Sequence, residues 1–425
     1  MSLRHGRTYH AIPGPSVVPD RVLQAMHRAA PNIYEGALLE MTETLIPDLK
    51  RLAQTETGHV AIYIGNGHAG WEASNANLFN RGDRVLLLAT GRFGHGWAAS
   101  LQGMGVEVDM VDFGRHSPAD PAVLAERLAT DRGHAYRAVV CTHVDTASTA
   151  RSDIPALRAA LDATGHPALL MVDGIASVGC DEMRMDAWGV DVLVAASQKG
   201  VMVPPGLAFV WFSEKARAAG RDATLRTPYW NWEPRIAPEF YYQYFCGTAP
   251  THHLFGLREA LDMLIHEEGL EAAWERHARL ARAVWAAAEA WGRGGAMALN
   301  VAEPAARAHA VTALRLDAPD GTRLRKWCDE QGGVTLGIGL GMAEPGEAAW
   351  HGFFRLAHMG HVNAHMTLGA LAVMDAGLKV LDIPHGHGAL DAASAALTTP
   401  LAKVSSATAH PPQPAWVDPG LATTA

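Results

Sequence analysis

The sequence predicts an α/β protein: a large domain on a mainly parallel, seven-stranded sheet, then a smaller C-terminal α/β domain. Three observations carry this. From about residue 58 to 212, short apolar runs alternate with helical stretches, the rhythm of strands joined by crossover helices. Several runs are nearly continuous in Val, Leu, Ile and Ala, as strands covered on both faces are. The rhythm stops at an aromatic segment and resumes near Val311, and 425 residues exceed one ordinary core.

The elements follow in order. Ile12-Pro13-Gly14-Pro15-Ser16 is incompatible with a helix, so residues 1–16 are expected as an extended arm. Residues 17–260 are assigned to the large domain, opening with a helix over Val18–Ala29. Its strand candidates are His59–Ile64, Val85–Ala89, Val106–Val111, Ala138–Thr142, Ala168–Val172, Val190–Ala196 and Leu207–Phe212. Between Thr224 and Thr251 the chain turns aromatic, with Tyr229-Trp230-Asn231-Trp232 and Tyr241-Tyr242-Gln243-Tyr244-Phe245. One long alanine-rich helix is expected from about Thr251 to Trp291. Residues 261–397 hold this linking helix and the small domain, whose first strand starts at Val311. Residues 398–425, with His410-Pro411-Pro412, are expected to be a mobile tail.

The formal net charge of −9 argues against nucleic-acid or anionic-membrane partners. No 18-residue apolar stretch suggests a membrane span, and the basic N-terminus lacks the apolar region of a signal peptide. The four cysteines show no paired spacing; they fit free thiols in a cytoplasmic protein.

The chemistry centres on Lys199, in Ser197-Gln198-Lys199-Gly200 directly after an apolar run, and on Asp173, which ends another. Two strand ends deliver an amine and a carboxylate to one side of a sheet. Pyridoxal 5′-phosphate (PLP) chemistry needs that pair: the amine forms the Schiff base, and the carboxylate keeps the ring nitrogen protonated. Alone, Lys199 reads equally as a solvated loop residue and Asp173-Gly174 as a turn. Gly65-Asn66-Gly67-His68-Ala69-Gly70 follows a strand and opens a helix, an anion site suited to phosphate. The string also fits a dinucleotide fingerprint. That reading wants an acidic residue about 20 positions on, where Leu87-Leu88-Ala89-Thr90-Gly91 has none. Phe93, flanked by glycines after a strand, could lie over a flat cofactor or be a core aromatic. Thr142-His143-Val144-Asp145-Thr146 offers a hydroxyl or imidazole to cofactor or substrate, or forms a side-chain-capped turn. Arg355, at the end of an aromatic run, suits a substrate carboxylate bidentately or a structural salt bridge. His358, His361 and His365 cluster, but among 22 histidines chance pairs are expected, and no metal is assigned.

These strings in this order resemble the class V, fold-type-I PLP-dependent aminotransferases, above all the alanine/serine–glyoxylate group. The likeness runs from Ile12 to about Gly377 and rests on Trp71-Glu72-Ala73, Val172-Asp173-Gly174-Ile175-Ala176-Ser177, Ser197-Gln198-Lys199-Gly200 with Pro204-Pro205-Gly206, and Arg355-Leu356-Ala357-His358-Met359-Gly360. The resemblance implies Lys199 as Schiff-base lysine and proton carrier, and Asp173 as partner of the ring nitrogen. It implies Asn66, Gly67, His68 and Gln198 at the phosphate, Phe93 on the ring and Thr146 near the phenolic oxygen. Arg355 and Gly14 would bind substrate, and Thr248 would reach the cofactor of the other subunit in a homodimer. Three places depart from the family pattern. Asn66 stands where serine is common, Phe245 stands where some members carry a phosphate-binding tyrosine, and Thr149-Ala150 replaces a glycine-containing turn. The aromatic segment also exceeds what the family leads one to expect and is a candidate for reshaping the substrate mouth.

The function implied is ping-pong transfer of an amino group from serine, alanine or aspartate to a 2-oxo acid, glyoxylate by resemblance. A nicotinamide oxidoreductase would leave Lys199 and Asp173 idle. A non-catalytic member of the fold would be expected to lack Lys199 or Arg355. A desulfurase needs a cysteine on a mobile loop, whereas Cys328 sits in a helical stretch. A lyase, a decarboxylase or a pyruvate-dependent transaminase remains compatible with the same residues.

Overall fold

The computed structural model describes residues 3–400, so the expected tail lies outside the described residues from 401 onward. Twelve strands occur among the described residues: β1 (Tyr9–Ala11), β2 (His59–Gly65), β3 (Arg84–Ala89), β4 (Glu107–Asp112), β5 (Tyr136–Thr142), β6 (Leu169–Asp173), β7 (Val192–Ala196), β8 (Gly206–Phe212), β9 (Ala298–Leu299), β10 (Val311–Arg315), β11 (Val334–Ile338) and β12 (Phe353–Ala357). β2 to β8 form a seven-stranded sheet in the order β2-β8-β7-β6-β5-β3-β4. Only β8 runs against the rest, antiparallel to β2 and β7. All seven apolar runs are strands, with ends displaced by at most two residues.

Alternation along these strands divides the large-domain core. Leu87, Val140, Met171 and Val194 face a core shared with Trp71, Trp97 and Leu101 of the helices Gly67–Leu78 and Arg92–Gly103. Leu88, Val139, Leu170 and Leu193 face the opposite core with Leu157 and Leu161 of the helix Ile154–Ala163. Every residue of β6 and β7 is buried as a result. The parallel strands end on one edge of the sheet, where ligands of open α/β sheets bind.

A second sheet has the order β1-β11-β12-β10-β9. The arm is more than an extended entry. Tyr9, His10 and Ala11 pair in parallel with Val334, Thr335 and Leu336, and a three-residue strand is too short to show periodicity. The helix expected over Val18–Ala29 is confined to Asp20–Met26.

The single helix expected over Thr251–Trp291 is interrupted. Thr251–Leu261 runs into a wide π-helical turn, Asp262–Glu268, and Leu270–Gly292 starts only after Gly269, at φ 84°. A buried charge cluster marks the break: Arg258 binds Asp48 and Asp262, and His266 Nε2 lies 2.8 Å from Asp48 Oδ2.

The aromatic segment is spent on the sheet's β2 edge. Arg235, 1% exposed, donates to the carbonyls of Ile62, Tyr244 and Tyr229, and Trp232 stacks on Phe212 at 3.9 Å. Among the described residues no helix is long and apolar enough to cross a membrane.

Candidate active site

β6 and β7 are neighbours and parallel, so their ends bring Asp173 and the Lys199 turn together. Asp173 is fully buried. Its Oδ1 accepts from the Ile175 N–H at 2.7 Å and its Oδ2 from the Trp71 indole at 3.2 Å. Burial pushes its pKa up to about 7; the Ile175 N–H opposes this, and the nearby Asp145 charge adds to it. Trp71 is fixed by parallel stacking on Trp97, 5.8 Å away at 7°.

Lys199 is also buried. Its Nζ donates to the Pro13 carbonyl. Burial pulls its pKa down to about 8, helped by Arg355 and opposed by Asp173, which raises the share of free amine at neutral pH. Gly14 lies at φ 88°, and a Cβ there would stand 2.6 Å from Nζ, so only glycine fits. The arm is anchored beside the lysine: Ser16 Oγ donates to Lys199 O at 2.7 Å and Ser16 N to Gln198 O at 2.9 Å.

Arg355 reaches the cleft from β12. Its Nε donates to Ile338 O at 2.8 Å and its Nη1 to Thr146 O at 2.7 Å. No carboxylate pairs with it among the described residues, so the salt-bridge alternative does not hold. Burial lowers its pKa to about 10. Two backbone carbonyls orient the guanidinium, and Asp145 supports its charge from a distance without pairing with it, a setting that leaves donors for an incoming carboxylate.

Asn66 caps the helix Gly67–Leu78, its side chain accepting from His68 N at 3.1 Å. A Cβ on Gly67 would run into Ile175 Cδ1, so glycine lets this turn approach the Asp173 turn. Asn66 and His68 are exposed and Gly67 is buried. Gln198 Oε1 is buried with no hydrogen-bond partner, an amide waiting for a polar group. Phe93 is half-buried and lies edge-on to Trp71 at 6.5 Å. Thr146 is buried, and Thr248 is exposed. His143 is committed elsewhere, its Nδ1 2.9 Å from Ser177 Oγ and its ring against Trp188. His358 Nε2 is 2.9 Å from Thr312 Oγ1 and His358 Nδ1 is 2.7 Å from His309 O. Cys328 is buried on the helix Asp320–Gly332 with its thiol pushed up to about 12.

Two residues of the site escaped the sequence reading. Asp145 Oδ2 accepts from Phe93 N at 2.7 Å and Gly94 N at 3.2 Å, while Oδ1 accepts from Ala147 N at 2.9 Å. It therefore anchors the start of the helix that carries Phe93. The signal was an aspartate after a strand opposite a glycine-rich helix start with no acidic cap of its own. Trp71 appeared only as part of a string; its contact with Asp173 is purely tertiary.

A cleft of about 360 Å³ lined by Glu43, Lys50, His59, Arg235 and Tyr244 contains none of these groups. Chemistry, rather than hollow size, locates the site.

A class-V aminotransferase family profile matches residues 13–363. The serine–glyoxylate aminotransferase of Methylorubrum extorquens is 35% identical over 94% of this chain and 98% of that protein. The L-aspartate–glyoxylate aminotransferase of Paracoccus denitrificans is 34% identical over 88% and 91%. Among solved structures, alanine–glyoxylate aminotransferase from Nostoc sp. superposes with a TM-score of 0.78 at 26% identity, covering 88% of this chain and 96% of that one. Pyridoxamine–pyruvate aminotransferase from Mesorhizobium loti shares the fold, with a TM-score of 0.82 at 24% identity over 93% and 99%.

Proposed function

Because the chain belongs to the class-V aminotransferases, we propose that it moves the amino group of serine, alanine or aspartate to glyoxylate in a ping-pong exchange. The observation that carries this is the convergence of Lys199, Asp173 and Arg355 at one sheet edge, with the lysine pKa pulled down to about 8 and the arginine left without a carboxylate.

The cofactor is pyridoxal 5′-phosphate, and the residues fit it. The glycine turn at Gly67 suits a phosphate, the orphaned Gln198 amide lacks a partner, and Asp173 is a buried carboxylate bonded only by N–H donors. When bound, PLP supplies an electron sink for charge developing at the substrate Cα. In this reading Asp173 holds the proton on the ring nitrogen, and Trp71 keeps Asp173 aimed. Asn66, Gly67, His68 and Gln198 bind the phosphate, Phe93 covers the ring and Thr146 serves the phenolic oxygen. Arg355 grips the substrate α-carboxylate, with Gly14 leaving room beside Lys199, and so orients the Cα–H bond. Lys199, as free amine, takes the Cα proton and redelivers it across the site. A homodimer in which Thr248 completes the neighbouring site, and a cytoplasmic location, belong to the same proposal. So does the division into a large cofactor-binding domain at 17–260 and a linking helix with a small C-terminal domain at 261–397.

The test is the visible absorbance of the purified protein with serine, alanine or aspartate and no oxo acid. The PLP band should bleach with release of the matching 2-oxo acid and return with glyoxylate. Lys199→Ala should lose the band and at least ~10³-fold in rate. Bleaching without oxo acid, release of CO₂, or an active and coloured Lys199→Ala would overturn the reading.

A further inference from the structure

Arg92 immediately precedes Phe93 at the start of the helix Arg92–Gly103. It is exposed, and among the described residues it makes no hydrogen bond or ion pair. Its stem packs on the loop after β11: a Cβ on Gly341 would stand 2.6 Å from Arg92 Cβ, 3.1 Å from its Cδ and 3.3 Å from Ala147 Cβ. These are the two loops that hold Arg355. Thr146, whose carbonyl takes Nη1, adjoins Ala147, and Ile338, whose carbonyl takes Nε, lies just before Gly341. Both loops are pinned, Met342 O by Arg115 Nη1 and Ser148 O by Asn300 Nδ2, each at 2.7 Å.

The stem of a second arginine therefore lies on the loops that orient the first. Arg84 and Arg137 on the same sheet meet Asp109 and Asp83. Arg92 meets no acid, because Asp145 spends its oxygens on backbone N–H groups. The phosphate turn follows a different strand, β2, and closes against Ile175 after β6, whereas Arg92 follows β3. In a chain with 44 acidic and 35 basic side chains, a cation left bare next to a carboxylate subsite is placed for an anion that arrives from solvent.

Resting on the aminotransferase reading, we propose that Arg92 binds a second, side-chain carboxylate, so that the preferred donors are dicarboxylic amino acids such as aspartate. The experiment compares kcat/KM for aspartate, serine and alanine with glyoxylate in wild-type holoenzyme, Arg92→Gln and Arg92→Lys. It adds calorimetric titration of the holoenzyme with the unreactive succinate and propionate. A charge-assisted pair is expected to give a wild-type preference for aspartate of ~10–100-fold. In Arg92→Gln the aspartate-to-serine ratio should fall by about that factor, chiefly through KM, with Arg92→Lys in between. Succinate should bind more tightly than propionate only when residue 92 is cationic. An unchanged ratio, or equal binding of the two probes to wild type, overturns the inference while serine and alanine turnover keeps the aminotransferase reading alive. Failure of all three donors overturns both.

Discussion

Asp173→Asn separates what the carboxylate does for the chemistry from what it costs the fold. In the cofactor-free site its pKa stands at about 7 against an ordinary 3.8. At ~1.4 kcal/mol per unit, keeping it ionised above pH 7 costs the folded state about 4 kcal/mol relative to the unfolded chain. The folded value is the higher one, so the stability is fully present below the unfolded pKa near 3.8 and is lost as pH rises through about 7. Asparagine does not titrate. Its oxygen still accepts from the Ile175 N–H, but its NH₂ then faces the Trp71 indole N–H, a loss of ~1 kcal/mol. The variant should therefore be about 3 kcal/mol more stable than wild type at pH 8, and ~1 kcal/mol or less at pH 5. Urea unfolding of both proteins, depleted of cofactor, at the two pH values measures this, and transamination by the reloaded variant should collapse. A variant less stable than wild type at pH 8, or a difference that does not grow with pH, would refute the reasoning.

Two further outcomes follow from buried cations. Arg355→Ala should raise KM for every α-amino acid donor by ~10–100-fold; steady-state kinetics showing unchanged KM would remove Arg355 from the site. Arg258→Met strips the principal cation from Asp48 and Asp262, both buried. It should destabilise the protein by about 3–5 kcal/mol in urea titration, and a loss under ~1 kcal/mol would show that Arg51 and His266 compensate the pair without it.

The large sheet was legible because parallel strands buried on both faces must be apolar at nearly every position, as β6 and β7 are. β1 and β9, of three and two residues, carry no period to detect. The break near Gly269 was hidden because Arg258 and Asp262 read as an ordinary i, i+4 helical pair, while their third partner, Asp48, is remote in sequence. Lys199, Asp173 and Arg355 stood out because each sets a charge at or near the end of an apolar run, which a fold tolerates only with a purpose. Asp145 did not, since an aspartate after a strand is also an ordinary turn former. The need for glycine at 14 is a steric fact about Lys199 Nζ and becomes visible only in three dimensions.

The N-terminal arm acts as a tether with the reactive amine at its midpoint. Ala11 belongs to the core of the β10–β12 sheet and Val22 to a core of the large domain. Between them the chain hands a carbonyl to Lys199 from Pro13 and clamps the lysine's own backbone through Ser16. β1 is held to the second sheet by its ladder to β11, so the register of that sheet reaches Pro13, two residues beyond the strand. The arm is thus a positional stop for the amine: the second sheet fixes where Pro13 stands, and Pro13 with Ser16 fixes where Lys199 rests.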